Sequence, residues 1–174
     1  MRPLFTIHAG EYLVGSYIEK NFKSYNVWVP SKDSGVDLLI TNKTNRKPIS
    51  LQVKFSKDYH GKDVDPAIKS GGWWTFNRDK MKNSKADYWV LVLYRFQTRD
   101  SDFMVIPPKR LIELYSSLGR TDKTINSYLW VTNDKHKMCW ETRDLFKNDK
   151  RQIAQGKFRD ASRNWTKYLN KWPF

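Results

Sequence analysis

Cysteine, spaced histidines and long apolar runs are scarce in this chain, and each absence excludes a class of protein. The one cysteine, Cys139, rules out an internal disulfide and a cysteine-based zinc site. The three histidines, His8, His60 and His136, show no spacing typical of metal ligands. No run of about 18 apolar residues is present, which excludes a transmembrane helix. The first residues lack the basic-then-apolar order of a secretory signal, so we expect a cytoplasmic protein.

Positive charge and aromatic rings are what the chain has in excess. Lys and Arg number 32 against 18 Asp and Glu, which gives the 174 residues a net charge of +14. Hydrophobic residues make up 39% and aromatic residues 15%, enough for the core of one globular domain. Such a charge favours a polyanionic partner, most simply nucleic acid, over the alternative that it only keeps the protein soluble. A membrane surface is disfavoured because no basic helix has one clean apolar face.

Hydrophobic periodicity predicts an α/β fold over residues 1–174, with a mixed central sheet surrounded by helices. We expect a core over about 8–118, followed by a C-terminal hairpin and helix within 119–174. The predicted elements are helices over 8–22, 109–118 and 159–169, a short basic helix or turn over 77–84, strands over 25–29, 36–40, 51–55, 73–76, 88–94 and 103–106, and a hairpin of 128–132 with 137–140.

The most informative pair of strands is Val36–Ile40 and Leu51–Phe55, which are joined by a loop rich in turn formers. Asp37 lies on the first strand. Gln52 and Lys54 lie two residues apart on the second, so these two side chains share a face. The register of the hairpin could bring Asp37 alongside them. An acid, an amide oxygen and an ammonium group on one sheet face suit a metal-dependent phosphodiester site.

A solvated hairpin face is the alternative, because an Asp followed at some distance by Gln-x-Lys is common by chance. Asp37 and Lys54, however, interrupt strongly apolar runs although Asp and Lys are poor strand formers. Charged groups that are half-buried in this way need partners. The context therefore favours a functional interpretation of both residues.

With Glu11 on the first predicted helix, Asp37 in Gly-Val-Asp and Gln52-Val53-Lys54 on the second strand, the chain resembles the PD-(D/E)XK nuclease superfamily. In that superfamily a helix with an acid precedes antiparallel strands that carry an Asp and an acid-x-Lys pair. The motif residues that carry the resemblance lie in roughly the first third of the chain. The predicted strand over 88–94 agrees with the rest of the superfamily's core only in its order along the chain. It implies a restriction-endonuclease-like fold and a metal-dependent endonuclease, similar to the small resolvase-like members.

Two positions depart from the superfamily's pattern. Val36 stands where many members have Pro, which carries no chemistry. Gln52 stands where most members have Glu or Asp, although several branches also use Gln. Because Gln keeps an oxygen ligand but removes a negative charge, a weaker affinity for Mg²⁺ is expected unless Glu11 supplies the charge.

The resemblance also implies a catalytic role for each motif residue. Asp37 would be the central ligand of Mg²⁺, for which Mn²⁺ is expected to substitute. The side-chain oxygen of Gln52, the carbonyl of Val53 and the carboxylate of Glu11 would complete the metal ligands from the protein. Lys54 would orient the attacking water or help deprotonate it, and would stabilise developing charge. For Glu11 the alternative is an acid at a helix N-terminus that favours the macrodipole.

Basic and aromatic residues close to this motif in the chain are candidates for nucleic-acid contacts. Trp73 and Trp74 are adjacent on a predicted strand, so only one of them can lie on a given face, and either could instead pack the core. The basic cluster within 77–85 could line a groove or only solvate the surface. The candidates are Lys32, Ser34, Lys57, Lys62, Trp73, Trp74, Arg78 and Lys80, with His60, Lys69, Lys82 and Lys85 as their basic neighbours.

The leading hypothesis from the sequence is a Mg²⁺-dependent endonuclease with DNA as its partner. Cutting both strands of a duplex with one small site would call for a symmetric homodimer. The first alternative is a catalytically inactive nuclease-fold module that binds nucleic acid, which the presence of Gln52 keeps open. The second is an RNA-binding protein in which the Asp-Gln-Lys pattern is accidental.

Overall fold

Two β-sheets dominate the structure, a computed structural model that describes residues 8–32, 34–44, 46–56, 65–95, 98–133 and 135–174. Near the C-terminus the chain forms two 3₁₀ turns, Ala161–Arg163 and Thr166–Tyr168. In chain order the elements are α1 (Ala9–Asn21), β1 (Tyr25–Trp28), β2 (Leu38–Asn42), β3 (Ile49–Ser56), β4 (Ile68–Asn77), α2 (Arg78–Lys82), β5 (Tyr88–Arg95), β6 (Asp100–Ile106), α3 (Pro108–Ser117), β7 (Thr124–Thr132), β8 (Cys139–Glu141) and α4 (Lys147–Ala154).

Sheet A contains five strands in the order β1-β2-β3-β5-β6. Its neighbours are antiparallel except β3 and β5, which run parallel. The run from Trp89 to Leu93 is buried throughout, which is why so apolar a strand lies inside the sheet rather than at its edge. The predicted mixed central sheet is therefore confirmed, and the chain forms a single α/β domain.

The two faces of sheet A are covered differently. α1 packs Val14 and Ile18 on one face, against Leu51 and Val90. The opposite face is covered by sheet B, which has the strand order β4-β7-β8, and by α3. Helices thus flank the sheet as predicted on the α1 side, whereas the other side is covered mainly by strands.

The C-terminal part of the chain is joined to the rest through sheet B. β7 pairs with β4 along almost its whole length, and the predicted hairpin of β7 with β8 is confirmed. β4 begins at Ile68, five residues before the predicted strand over 73–76. Leu129, Cys139 and Trp165 consequently lie in the same core cluster as residues from sheet A.

The helix predicted over 159–169 is wrong. The segment contains only the two 3₁₀ turns, and the Asp160 carboxylate accepts a 3.0 Å hydrogen bond from the Ser162 N–H. Short polar side chains that bond nearby backbone in this way compete with helical hydrogen bonding. The side chains of Trp165 and Leu169 are nevertheless buried, so this segment packs on the rest of the domain without being helical.

The sequence does not predict α4. Its eight residues are largely polar, and only Ile153 and Ala154 are buried, so the helical periodicity is weak. No helix within the described ranges has the length and apolar character needed to cross a membrane.

A buried ion cluster holds the end of β8. Glu141 is fully buried, and its carboxylate accepts hydrogen bonds from Arg120 at 2.6 Å and from Arg163 at 3.0 Å. Burial raises the pKa of the Glu141 carboxyl, and the guanidinium of Arg120 counteracts that effect. Cys139 is buried on the same strand, as expected of a structural thiol, and burial raises the pKa of its thiol.

Candidate active site

The Asp37 carboxylate is fixed against the backbone of β3. Asp37 lies directly before β2, and its N–H donates a 2.8 Å hydrogen bond to the carbonyl of Leu51. Its Oδ2 accepts a 2.6 Å hydrogen bond from the N–H of Val53. Backbone and side chain of Asp37 are therefore both held by the strand that carries the Gln-x-Lys pair.

The register of β2 on β3 places the three predicted residues on one face. Leu38 pairs with Leu51, so continuing the antiparallel register by one residue sets Asp37 opposite Gln52. Directly opposed residues share a face, and Lys54 lies two residues further on the same face. The structure thus brings the three side chains together, as the hairpin pattern predicts.

A cleft of about 730 Å³ opens above these three half-buried side chains. Ser34 and Gly35 lie on the side from which the chain enters β2. The end of β4, together with α2 and the residues after it, provides the remaining wall. The cleft residues from this wall and from β5 are Trp74, Thr75, Phe76, Asn77, Asp79, Lys80, Asn83, Ser84, Lys85 and Trp89.

Two tryptophans hold Lys54. The ammonium nitrogen lies 5.4 Å from the ring centroid of Trp89, a cation–π contact. The indole N–H of Trp74 donates a 3.2 Å hydrogen bond to the Lys54 carbonyl. Trp74 itself packs on Gly72, where an added Cβ would lie 2.4 Å from the ring. Lys54 is thus restrained through its side chain and through its backbone.

Glu11 approaches Asp37 and Lys54 from the face of sheet A that α1 covers. A smaller cleft of about 290 Å³ is lined by Glu11, Asp37, Val53 and Lys54 together. The Glu11 carboxylate also accepts a 3.2 Å hydrogen bond from the N–H of His8, at the start of α1. Glu11 therefore combines the position expected of a site acid with a contact expected of a helix N-terminal acid.

Close packing of α1 on β3 is what puts Glu11 there. A Cβ at Gly10 would lie 2.9 Å from the Cβ of Phe55 and 3.2 Å from the Cγ1 of Val53. The lack of a side chain at this one helical position therefore sets the distance between the helix and the strand that carries Lys54.

The candidate nucleic-acid contacts separate into two groups. Ser34, Lys80 and Trp74 line the larger cleft, although Trp74 is only 6% exposed and also packs the core. Trp73 is 41% exposed and faces the opposite way, which confirms that the adjacent tryptophans lie on different faces. Lys85, named as a basic neighbour, also lines the cleft.

Other basic candidates do not line the cleft. The Arg78 guanidinium donates to the Arg120 carbonyl and the Ser116 hydroxyl, so it holds α2 on α3. Lys69 pairs with the buried Asp102 at 3.4 Å. The remaining candidates are Lys32, which is exposed and is not among the lining residues, and Lys57, His60 and Lys62, which lie outside the described residues.

Several cleft residues were not singled out from the sequence. Trp89 lies beside Gln52 because β3 and β5 pair in parallel, and no local pattern reveals such a long-range register. Asn77 accepts a 2.9 Å hydrogen bond from the N–H of Lys80 as the N-cap of α2. That capping preference is the sequence signal that could have identified Asn77 and Asp79, beside the candidate Lys80, as residues of the cleft wall.

The donors around Asp37 suit a hard cation. Among the described residues no cluster of three or more His, Cys, Asp and Glu side chains could hold a metal ion. The available set is the Asp37 carboxylate, the Gln52 amide oxygen and the Val53 carbonyl. The Val53 carbonyl points to the same edge of β3 as the Val53 N–H that bonds Asp37, because N–H and C=O of one strand residue point the same way. Mg²⁺ binds to one or two carboxylates when waters and substrate phosphates fill its other positions.

No protein-family model, curated protein or solved structure matches this chain.

The close contact at Gly10 generates a stability prediction. Gly10→Ala should lower the free energy of unfolding by about 1–3 kcal/mol, because the new methyl group overpacks the helix–strand contact. Gly15→Ala is the matched control on the same helix. Its Cβ would lie 3.6 Å from Val27, an ordinary contact, so helix propensity should raise stability by about 0.5–1 kcal/mol. Urea unfolding measures both variants, and equal stabilisation by both would contradict the close approach.

Proposed function

We propose that this protein is a metal-dependent endonuclease that hydrolyses DNA phosphodiester bonds above Asp37, Gln52 and Lys54. The observation that carries the proposal is the β2–β3 register, which supports one shared face for the acid, the amide and the ammonium group. Further support comes from the cleft above them, where Lys80 and Lys85 add positive charge for phosphates. A restriction-endonuclease-like fold is part of the same proposal, because α1, the β2–β3 hairpin and β5 follow in the order that this fold uses.

The metal site would be built on Asp37, the Gln52 side-chain oxygen and the Val53 carbonyl, with Glu11 as a second carboxylate. Mg²⁺, or Mn²⁺ in its place, supplies Lewis-acid stabilisation of the negative charge that develops on the phosphate. The hydrogen bond from the Val53 N–H holds the Asp37 carboxylate at the edge of β3 to which the Val53 carbonyl also points. Such preorganisation lowers the reorganisation needed when substrate binds.

Lys54 is the residue proposed to act on the water and on the developing charge. Its ammonium group is held over the Trp89 ring, so the charge stays in the cleft instead of extending into solvent. An ammonium fixed in a half-buried cleft stabilises a developing oxyanion more strongly than one in bulk water. It can also donate a hydrogen bond that orients the attacking water.

Asp37→Asn and Lys54→Met test this assignment. Each substitution keeps the shape of the side chain and removes its charge, so the fold should survive while cleavage falls at least about 100-fold. Lys43→Met, at an exposed position in the loop after β2, is the matched control and should cut normally. Cleavage of supercoiled plasmid, branched and single-stranded DNA in Mg²⁺, Mn²⁺ or EDTA is the measurement.

Two outcomes of that experiment would contradict the proposal. Unchanged cleavage by folded Asp37→Asn and Lys54→Met would place the chemistry elsewhere. Binding without cleavage on every substrate would favour the inactive nuclease-fold module, for which Gln52 is the feature of interest.

Gln52→Glu tests the amide in the metal set. Restoring a carboxylate should lower the Mg²⁺ concentration that gives half-maximal cleavage, because a negative ligand binds a hard cation more tightly. Cleavage rates over a Mg²⁺ titration measure the effect, with Gln52→Ala as the variant that lacks an oxygen. Loss of cleavage in Gln52→Glu would show that the amide N–H₂ group is required as a donor.

Lys80 and Lys82 form a matched pair for testing the cleft wall. Both are exposed on α2, two residues apart, but only Lys80 lines the cleft. Lys80→Ala should weaken DNA binding and reduce the slope of log K against log salt by about one, whereas Lys82→Ala should change neither. Fluorescence anisotropy at several salt concentrations in EDTA checks this. Equal effects of both variants would mean that the surface charge, not the cleft, binds DNA.

A further inference from the structure

The outer face of sheet B carries three aromatic rings, one exposed and two half-buried, that line neither cleft. The inner face of β4 and β7 buries Trp74, Phe76 and Leu129 in the core between the sheets. Side chains alternate along a strand, so Trp73 and Tyr128 point the other way. Trp73 is 41% exposed, and Tyr128 is half-buried.

The strand register brings three rings side by side. Trp73 pairs directly with Tyr128, and Trp130, which is half-buried against the cluster that contains Trp140, pairs with Gly71. The ring centroids of Tyr128 and Trp130 lie 5.8 Å apart in an edge-on arrangement. We refer to Trp73, Tyr128 and Trp130 as the outer aromatic surface.

Positive charge borders this surface. α4 covers the far end of the same face, where Ile153 packs in one cluster with Trp140. Its Lys150 nitrogen lies 5.8 Å from the ring centroid of Trp130. Lys147 and Arg151 of α4 are exposed, so the helix presents three cations next to the rings.

We propose that the outer aromatic surface binds single-stranded nucleic acid by base stacking, with Lys150 contacting a backbone phosphate. Adjacent rings on a rigid sheet beside cations are the combination with which proteins bind single strands of any sequence. The net charge of +14 gives the complementarity that such a ligand requires. Aromatic residues also occur in protein interfaces, but the flanking lysines and arginine favour a polyanion over a second protein. Taking nucleic acid as the partner rests on the proposed function.

The test compares two oligonucleotides of equal length and charge, one of thymidines and one of abasic sites, by fluorescence anisotropy in EDTA. Trp73→Ala should weaken binding to the thymidine strand about fivefold or more and leave the abasic strand unchanged, because only bases stack. Trp73→Phe should restore most of the affinity. Lys150→Ala should weaken binding to both strands and reduce the salt slope by about one.

Trp28→Ala is the control, because Trp28 is 51% exposed but belongs to β1 in sheet A. It should bind both strands like the unsubstituted protein, and urea unfolding should show that every variant is folded. Equal weakening on both strands, or no weakening by Trp73→Ala, would overturn the proposal. So would a dimer in analytical ultracentrifugation that Trp73→Ala abolishes, since the surface would then bind a second copy.

Binding in EDTA is independent of cleavage, so the two proposals fail separately. Loss of stacking with metal-dependent cleavage intact would contradict only the outer aromatic surface. Thymidine-specific binding that depends on Trp73, without cleavage of any DNA, would contradict only the endonuclease.

Discussion

The pairing of β3 on both of its edges is the constraint on which fold and site depend. β3 is antiparallel to β2 and parallel to β5, and its side chains alternate between the α1 core and the cleft. Leu51 is fully buried under α1, while Gln52 and Lys54 face the other way. A slip of one residue would expose Leu51 and bury the polar pair, so hydrophobic burial fixes the register that aligns the site.

β4 also contributes residues to two different surfaces. Trp74 faces inward and bonds the Lys54 carbonyl, whereas Trp73 faces outward beside Tyr128. Adjacent residues of one strand therefore link the cleft and the outer aromatic surface.

Local patterns in the sequence predict part of this architecture. The part that depends on pairing between distant strands cannot be predicted from them. The hairpin and the face shared by Asp37 and Lys54 follow from alternation and a turn-rich loop, because both are encoded within a short segment. The parallel contact that sets Trp89 under Lys54, and the pairing of β4 with β7, depend on residues far apart in the chain. The helix predicted over 159–169 does not form, because the Asp160 side chain accepts a hydrogen bond from nearby backbone. The spacing of apolar residues does not reveal this competing contact.

Mn²⁺ binding, followed by electron paramagnetic resonance in the presence of a short DNA duplex, is the direct test of a metal site at Asp37. We expect the folded protein to bind Mn²⁺, and we expect Asp37→Asn to lose Mn²⁺ binding while it still binds DNA. The charge of one carboxylate, fixed by the Val53 N–H, would then be what holds the cation. DNA binding without Mn²⁺ binding, or equal Mn²⁺ binding after Asp37→Asn, would contradict a metal site at Asp37.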